Sequence, residues 1–204
     1  MHQQQISEML LSSGFSQQQT QMLLEMGSVL ELPTRHVLTH QGQPIEQVYL
    51  LVQGICCEQW ITQQQQAVTK TCCWPGEWIL PSEPLKERDI ASTLVETLTP
   101  CLLLCLPVEH VVRWRIQAEP LYQNLLEQRI KADHQKAMFK QLYSPYERYH
   151  LLSQQFENQL ETLSLYHLAQ CLDTTEPQVE HILQAYNDGS PPLDISPIEG
   201  DRND

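Results

Sequence analysis

The sequence lacks a segment that could cross a bilayer. Its longest purely apolar run, residues 101–106, is far shorter than the roughly 20 residues that a membrane-spanning helix needs. Residues 1–11 also lack the basic start and apolar core of a secretory signal peptide. We therefore expect a cytoplasmic protein that does not interact with a membrane.

The sequence also lacks the local motifs that carry catalysis. It contains no phosphate-binding P-loop, no glycine-rich dinucleotide fingerprint, no H-E-x-x-H zinc motif and no nucleophile elbow. We therefore predict that the protein is not an enzyme and has no catalytic residues, no metal ligands and no cofactor.

Positive charge is scarce. The sequence contains twelve lysines and arginines and 25 acidic residues, which gives a formal net charge of -13. No lysine or arginine occurs in residues 149–201. A strongly acidic chain is not attracted nonspecifically to nucleic acid or to an anionic membrane.

Seven cysteines occur without an export signal, which predicts reduced thiols and not a disulfide framework. Cys56-Cys57 and Cys72-Cys73 lie in two segments that resemble a hairpin. Adjacent strand residues point to opposite faces, so at most two of these four sulfurs meet, which disfavours a four-cysteine zinc site. Small apolar core residues are one interpretation of these cysteines, and a thiol or metal sensor is the other.

Short apolar segments separated by turn residues fill the first half of the chain. The pattern predicts strands at residues 29–32, 36–39, 48–53, 55–61, 68–73, 93–97 and 101–106. Many short strands with turns between them indicate a β sandwich or jelly roll. Residues 77–92 have no clear period and are predicted to form a long loop.

An amphipathic helix is predicted over residues 120–143, with apolar side chains on about half of its circumference. Leu125, Ala132 and Phe139 lie seven residues apart and, with Tyr122 and Leu126, suggest the seam of a homodimer. An equally weighted interpretation is that the same face packs on its own domain.

Three shorter helices are predicted after residue 143. Ser144 followed by Pro145 opens the first, Ser164 caps the second, and Thr175 with Gln178 forms the capping box of the third. The last two, joined by a tight turn, outline a helix-turn-helix. The predicted organisation is an α+β chain: a β domain with an N-terminal helix (1–115), a connecting helix (116–143), a helix-turn-helix-like domain (144–187) and an acidic tail (188–204).

Several motifs in this order give the chain a family resemblance. They are Gly42, the segment Y-L-L-V-Q-G that ends at Gly54, Pro75-Gly76-Glu77, residues 102–107, and Leu168-Ala169 followed by Val179 and Ile182-Leu183. In this order and spacing, the chain resembles the Crp/Fnr regulators. The resemblance implies a cyclic-nucleotide-binding-type jelly roll, a long dimer helix and a helix-turn-helix.

The resemblance also implies where a ligand pocket would lie, and the residues there depart from the family pattern. The glycine-glutamate pair that holds the ribose falls on Leu80-Pro81, and the arginine that binds the phosphate falls on Ala91, so only Ser92 is retained. The degenerate pocket is predicted to comprise Gly76, Glu77, Leu80, Pro81, Arg88, Ala91 and Ser92. A buried phosphate without a cation is costly, so we expect no binding of cyclic AMP.

The DNA-reading positions implied by the resemblance are also altered. The family's arginine, glutamate and second arginine fall on Glu176, Pro177 and His181, which lie near Thr175 and Gln178 on the recognition helix. Proline donates nothing and glutamate repels phosphate, so DNA is not an expected partner.

These observations predict a Crp/Fnr-like regulatory protein that forms a homodimer and acts through an unidentified protein partner. The first alternative is a Crp/Fnr-type transcription regulator with a non-standard ligand. The second alternative is a redox or metal sensor that uses the paired cysteines.

Overall fold

The computed structural model describes residues 2–81, 85–86 and 89–189. The chain divides into two compact units, Met1–Met138 and Phe139–Asp204. The predicted position of Arg88 and most of the predicted tail, residues 190–204, lie outside the described residues.

The described part of the first unit contains two N-terminal helices, eight strands and two further helices, the last of which extends past its boundary. In chain order these are α1 (His2–Ser12), α2 (Gln17–Met26), β1 (Ser28–Leu32), β2 (Val37–Thr39), β3 (Gln47–Gln53), β4 (Cys56–Ile61), β5 (Ala67–Cys73), β6 (Trp78–Ile79), β7 (Leu94–Thr97), β8 (Cys101–Pro107), α3 (Val108–Ile116) and α4 (Pro120–Leu142).

The strands form two antiparallel four-stranded sheets. One has the order β1-β8-β3-β6 and the other β2-β7-β4-β5. The predicted hairpin of β4 and β5 is confirmed, with Cys56 opposite Cys73 and Cys57 opposite Cys72. The jelly roll predicted from the alternating segments is therefore the observed fold of this unit.

Strand β8 explains where the core lies, because its side chains alternate between two apolar layers. Leu102, Leu104 and Leu106 pack with residues of the helices, including Ile6, Leu23 and Leu125. Cys101, Leu103 and Cys105 instead pack with residues of the facing sheet, such as Val95. A strand buried on both faces needs apolar residues at every position, which is the pattern of residues 101–106.

The second unit contains three helices: α5 (Pro145–Leu160), α6 (Leu165–Leu172) and α7 (Glu176–Asn187). The Ser164 hydroxyl accepts a hydrogen bond from the His167 backbone amide at the start of α6, as predicted from the sequence. Asp173 adopts the left-handed conformation (φ 53°) that ends α6, and the capping box at Thr175 and Gln178 opens α7. The predicted helix-turn-helix outline is present.

The structure differs from the sequence predictions at several places. Helices α1 and α3 were not predicted, and β6 interrupts the predicted loop. Most of α4 belongs to the first unit and does not form a separate domain, because Leu121 and Leu125 are buried in that unit's core. Leu125 is thus unavailable as a dimer contact. Among the described residues, no helix has both the length and the apolarity needed to cross a bilayer.

Candidate functional site

A cavity of about 370 Å³ opens in the jelly roll at the position that the resemblance implies. Its lining includes Leu80, Pro81, Ala91 and Ser92, four of the predicted pocket residues. The remaining described lining residues are Thr39, Ile45, Gln47, Glu58, Trp60, Lys70, Ile79, Asp89, Ile90, Thr93 and Val95. The volume suits a small organic molecule.

Two other predicted pocket residues have structural roles outside this lining. Gly76 adopts a positive φ of 93°, and its amide donates to the Leu51 carbonyl at 2.8 Å, which shapes the turn before β6. The carboxylate of Glu77 lies 2.5 Å from Lys136 Nζ on α4. Burial raises the pKa of Glu77 although Lys136 opposes this effect.

The backbone at Ala91 holds the cavity wall in place. The Ala91 amide donates to the Gln43 carbonyl and the Gly42 amide donates to the Ala91 carbonyl, both at 2.8 Å. The Ala91 side chain is buried and supplies only a methyl group where the family pattern has a cation.

Sequence reasoning missed the one cationic side chain in the described lining, Lys70 of β5. Its Nζ lies 3.0 Å from Glu58 Oε2 on the neighbouring strand β4. The positive charge of Lys70 is therefore already paired, and a phosphate near it would also meet the carboxylate of Glu58. The available sequence signal was Glu58, the one charged residue in the predicted strand 55–61.

Glu58 also connects the cavity to helix α4. Its Oε1 accepts a hydrogen bond from Arg129 Nη1 at 3.1 Å, and the same nitrogen donates to the Trp78 carbonyl at 3.2 Å. Burial opposes ionisation of Glu58, but the charges of Arg129 and Lys70 outweigh it and lower the pKa of the carboxyl group. Arg129 Nε additionally contacts Asp133 at 3.1 Å.

The cysteines are mainly buried in the sandwich. The free thiols are Cys56, Cys57, Cys73, Cys101 and Cys105. Cys72 and Cys171 are not free thiols, so the expectation of seven reduced cysteines is wrong at these two positions. The described residues contain no cluster of three or more histidine, cysteine, aspartate or glutamate side chains suited to a metal ion.

The predicted DNA-reading positions lie on an exposed face of α7. Glu176, Pro177 and His181 are all exposed, and so is Glu180. The side-chain oxygen Oε1 of Gln178 accepts from the Thr174 hydroxyl and from the Thr175 backbone amide, so this side chain takes part in the cap of the helix. The exposed face is acidic at its start.

In the described part of the second unit, residues 139–189, both basic side chains have a partner within that unit. Among residues 139–189, only Lys140 and Arg148 are lysine or arginine. Lys140 Nζ lies 3.4 Å from Asp173, while Arg148 is buried and donates to the Leu172 carbonyl at 2.6 Å. Within these residues, the arginine is therefore buried and the lysine lies beside a carboxylate.

Comparison with solved structures identifies the fold as that of Crp/Fnr-type regulators. A candidate cyclic-nucleotide-binding protein of Ruegeria pomeroyi superposes with a TM-score of 0.68 at 14% identity, covering 95% of this chain and 92% of the other. A candidate cAMP-binding regulatory protein of Silicibacter pomeroyi gives 0.67 at 15% identity, covering 92% and 89%.

A third similar structure is CLP of Xanthomonas campestris, a global regulator that responds to c-di-GMP. It gives a TM-score of 0.54 at 14% identity, covering 85% of this chain and 93% of the other. No protein-family model and no curated protein sequence matches the chain. The chain thus has a Crp/Fnr-like fold, and its sequence identity to these structures is low.

Proposed function

We propose that this chain is a non-enzymatic regulator of the Crp/Fnr type that acts by binding another protein and does not bind DNA in the conventional way. The observation that carries the proposal is the charge of the helix-turn-helix unit. Its lysine and its arginine within residues 139–189 are paired or buried, whereas Glu176 and Glu180 lie exposed on α7. Duplex affinity depends largely on cations that displace counterions from phosphates.

The same unit offers a surface suited to a protein. Leu165 and Tyr166 are exposed at the start of α6, and the acidic residues of α7 belong to the same unit. Exposed apolar side chains and carboxylates favour a partner segment that carries both apolar and basic residues. We propose that such a segment is the ligand of this unit.

The jelly-roll cavity is proposed not to bind cyclic AMP. Ala91 supplies no charge, and Lys70 is already paired with Glu58. An additional anion there would repel the carboxylate and compete for its cation. This supports a regulator whose jelly roll no longer responds to the cyclic nucleotide.

A homodimer is proposed through the solvent-facing side of α4. Ile130 is 59% exposed, and Ala137, two turns further on, is exposed as well. Leu126, one turn before Ile130, is half-buried. A stripe of apolar and small side chains on one face of a long helix allows a second copy to pack closely against it.

The DNA part of the proposal is tested by fluorescence anisotropy with a labelled duplex of randomised sequence at physiological ionic strength. The wild-type chain is expected not to saturate the signal. The variant Glu176→Lys with Glu180→Lys is expected to gain salt-dependent affinity, because it supplies the missing charge. Tight binding by the wild type would favour the transcription-regulator alternative.

The protein part is tested by affinity capture from cell lysate with the wild type and with the variant Leu165→Ser, Tyr166→Ser. A partner that crosslinks to α6 and is lost with the variant is expected. Val68→Ser, an exposed apolar position on β5, serves as the control and should retain the partner. Equal capture by all three proteins would exclude this surface.

A further inference from the structure

Two free cysteines from opposite sheets place their sulfur atoms close together in the sandwich. Cys56 begins β4 and Cys101 begins β8, and their sulfurs are 3.7 Å apart. A disulfide has an S–S length of about 2.05 Å, so bond formation needs an approach of about 1.7 Å. Movement of this size lies within the range of small side-chain rotations.

The two cysteines differ in their distance from the surface, since Cys101 is 4% exposed and Cys56 is fully buried. Cys101 lines a surface groove of about 470 Å³ together with His2, Glu31, Gln53 and Pro100. Cys56 is completely buried and does not line that groove. A small reagent that enters the groove therefore meets Cys101 before it meets Cys56.

Gly54 keeps space free beside the Cys101 sulfur. A Cβ atom at position 54 would lie 2.5 Å from that sulfur and 2.5 Å from the Pro100 carbonyl oxygen. Gly54 also has a positive φ of 97°, so the turn between β3 and β4 favours glycine at this position on two counts.

The hydrogen bonds of the pair assign different roles to the two thiols. The Cys101 thiol donates to the Thr99 carbonyl at 3.2 Å, which leaves its sulfur to accept from Cys56. The hydrogen bond from Cys56 lowers the pKa of the Cys101 thiol, although burial opposes this effect. The same hydrogen bond and burial raise the pKa of Cys56. The thiolate, which is the reactive form, is thereby favoured at the more accessible cysteine.

We propose that Cys101 is an oxidation site for small hydroperoxides and that Cys56 resolves the oxidised product into a Cys56–Cys101 disulfide. The Cys101 thiolate attacks the peroxide oxygen, the O–O bond breaks, and the departing alkoxide or hydroxide takes up a proton. Cys101 then carries a sulfenic acid. The Cys56 sulfur attacks the Cys101 sulfur, the S–O bond breaks, and the hydroxyl group leaves with the Cys56 proton as water.

The overall reaction balances. One hydroperoxide and two thiols give one disulfide, one water and one alcohol, or a second water when the oxidant is hydrogen peroxide. Two electrons pass from the sulfurs to the peroxide oxygen, and a dithiol reductant returns the pair to its reduced form. The product would covalently join the two sheets of the jelly roll.

The test uses the full chain, reduced with dithiothreitol, freed of the reductant without air, and treated with hydrogen peroxide in slight molar excess. Free thiols are then alkylated with N-ethylmaleimide, and the digest is analysed by mass spectrometry. We expect a peptide pair joined through Cys56 and Cys101 that disappears on renewed reduction. The oxidation state of the peptides that contain Cys72 and Cys171 is compared before and after the peroxide treatment, because these two residues are not free thiols.

Two variants assign the roles. Cys56→Ser should retain a sulfenic acid at Cys101 that dimedone traps, and Cys101→Ser should lose both the dimedone adduct and the joined peptides. Cys105→Ser, which removes another buried thiol of the same strand, should still form the joined peptides. Circular dichroism establishes that each variant is folded.

The wild-type measurement alone suffices to overturn the proposal if a variant does not fold. Failure of folded wild-type protein to form the joined peptides would overturn it, as would a disulfide that pairs Cys56 with Cys73 in place of Cys101. Dimedone labelling of Cys56 in preference to Cys101 would equally contradict the assigned roles.

Discussion

Arg129 on helix α4 and Glu58 on strand β4 form a buried ion pair of 3.1 Å, although 71 residues separate them in the chain. The side chains are only 3% and 5% exposed. Lys70 and Asp133 extend the pair at its two ends. The pair therefore connects the wall of the jelly-roll cavity to the long helix.

Removal of the arginine should be strongly destabilising. Arg129→Met leaves Glu58 with Lys70 as its remaining charged partner, and we expect a loss of about 3 kcal/mol in the free energy of unfolding, the lower end for a broken buried pair. Lys131→Met changes an exposed neighbour on the same helix and should alter the stability by less than about 0.5 kcal/mol. Urea unfolding followed by circular dichroism measures both. Equal effects would show that the pair is energetically unimportant.

Acid should weaken the first unit through Glu58. The pKa of this carboxyl group is lower in the folded chain than its ordinary value of 4.5. The stabilisation is therefore complete above about pH 4.5 and is lost as the pH falls through the lower folded value. Glu58→Gln should flatten this acid dependence in urea unfolding measured at several pH values.

Glu77 provides a contrast of opposite sign. Its pKa is raised in the folded chain, so its ionisation costs stability as the pH rises above 4.5. Glu77→Gln should therefore steepen the loss of stability toward low pH. If both variants changed the pH dependence in the same direction, the assignment of these two carboxyl groups would be wrong.

Cyclic AMP should not bind to the cavity at physiological concentrations. Titration calorimetry with the wild type is expected to give no saturable heat, because Ala91 and Pro81 offer neither a cation nor an acceptor to the nucleotide. A triple variant, Leu80→Gly with Pro81→Glu and Ala91→Arg, restores the family residues and should gain measurable affinity. A micromolar dissociation constant for the wild type would contradict the prediction.

The proposed dimer predicts different outcomes for two residues of α4. Ile130→Glu should convert the dimer to a monomer without unfolding, because the side chain is 59% exposed. Leu125→Glu should instead unfold the first unit, because it buries a carboxylate in the core. Gln135→Glu adds the same charge at another exposed position of the helix and should change neither property. Sedimentation velocity and circular dichroism separate the outcomes, and a monomeric wild type would exclude the dimer.

Local signals were sufficient to predict most of the secondary structure. Ser164 caps one helix and Thr175 with Gln178 caps another, as their spacing indicated. These interactions extend over three residues, so the sequence contains both partners within one turn. Pairing of β4 with β5 was predictable for the same reason, since a short turn joins them.

Interactions between distant residues could not be predicted in this way. In the sequence, Arg129 is a polar residue within an amphipathic helix, whereas in the structure it is buried against Glu58 and the Trp78 carbonyl, which lie far away in the chain. The stripe of Leu125, Ala132 and Phe139 could equally face a second copy or its own domain. The helical periodicity is identical in both cases, and only the packing of Leu125 against the core decides.

The lining of the cavity likewise combines residues that the sequence indicates with residues that only the fold brings there. The resemblance placed Leu80, Pro81, Ala91 and Ser92 along its wall, and all four line it. Lys70 lines the cavity from β5, and the loop motif contains no residue that indicates this contribution. The electrostatic character of the cavity therefore follows from the strand order and not from the loop motif alone.

Strand β8 has a consequence for synthesis of the chain on the ribosome. Among the described residues it is the last strand in sequence, yet it pairs with both β1 and β3, and β1 has no other strand partner there. The first 100 residues must therefore leave the ribosome before this sheet can close, and the edges of β1 and β3 stay unpaired for that interval. Residues 101–106, all of which are buried, complete the jelly roll. A chain that terminates before them would therefore have an incomplete sheet with unpaired strand edges, which favour aggregation.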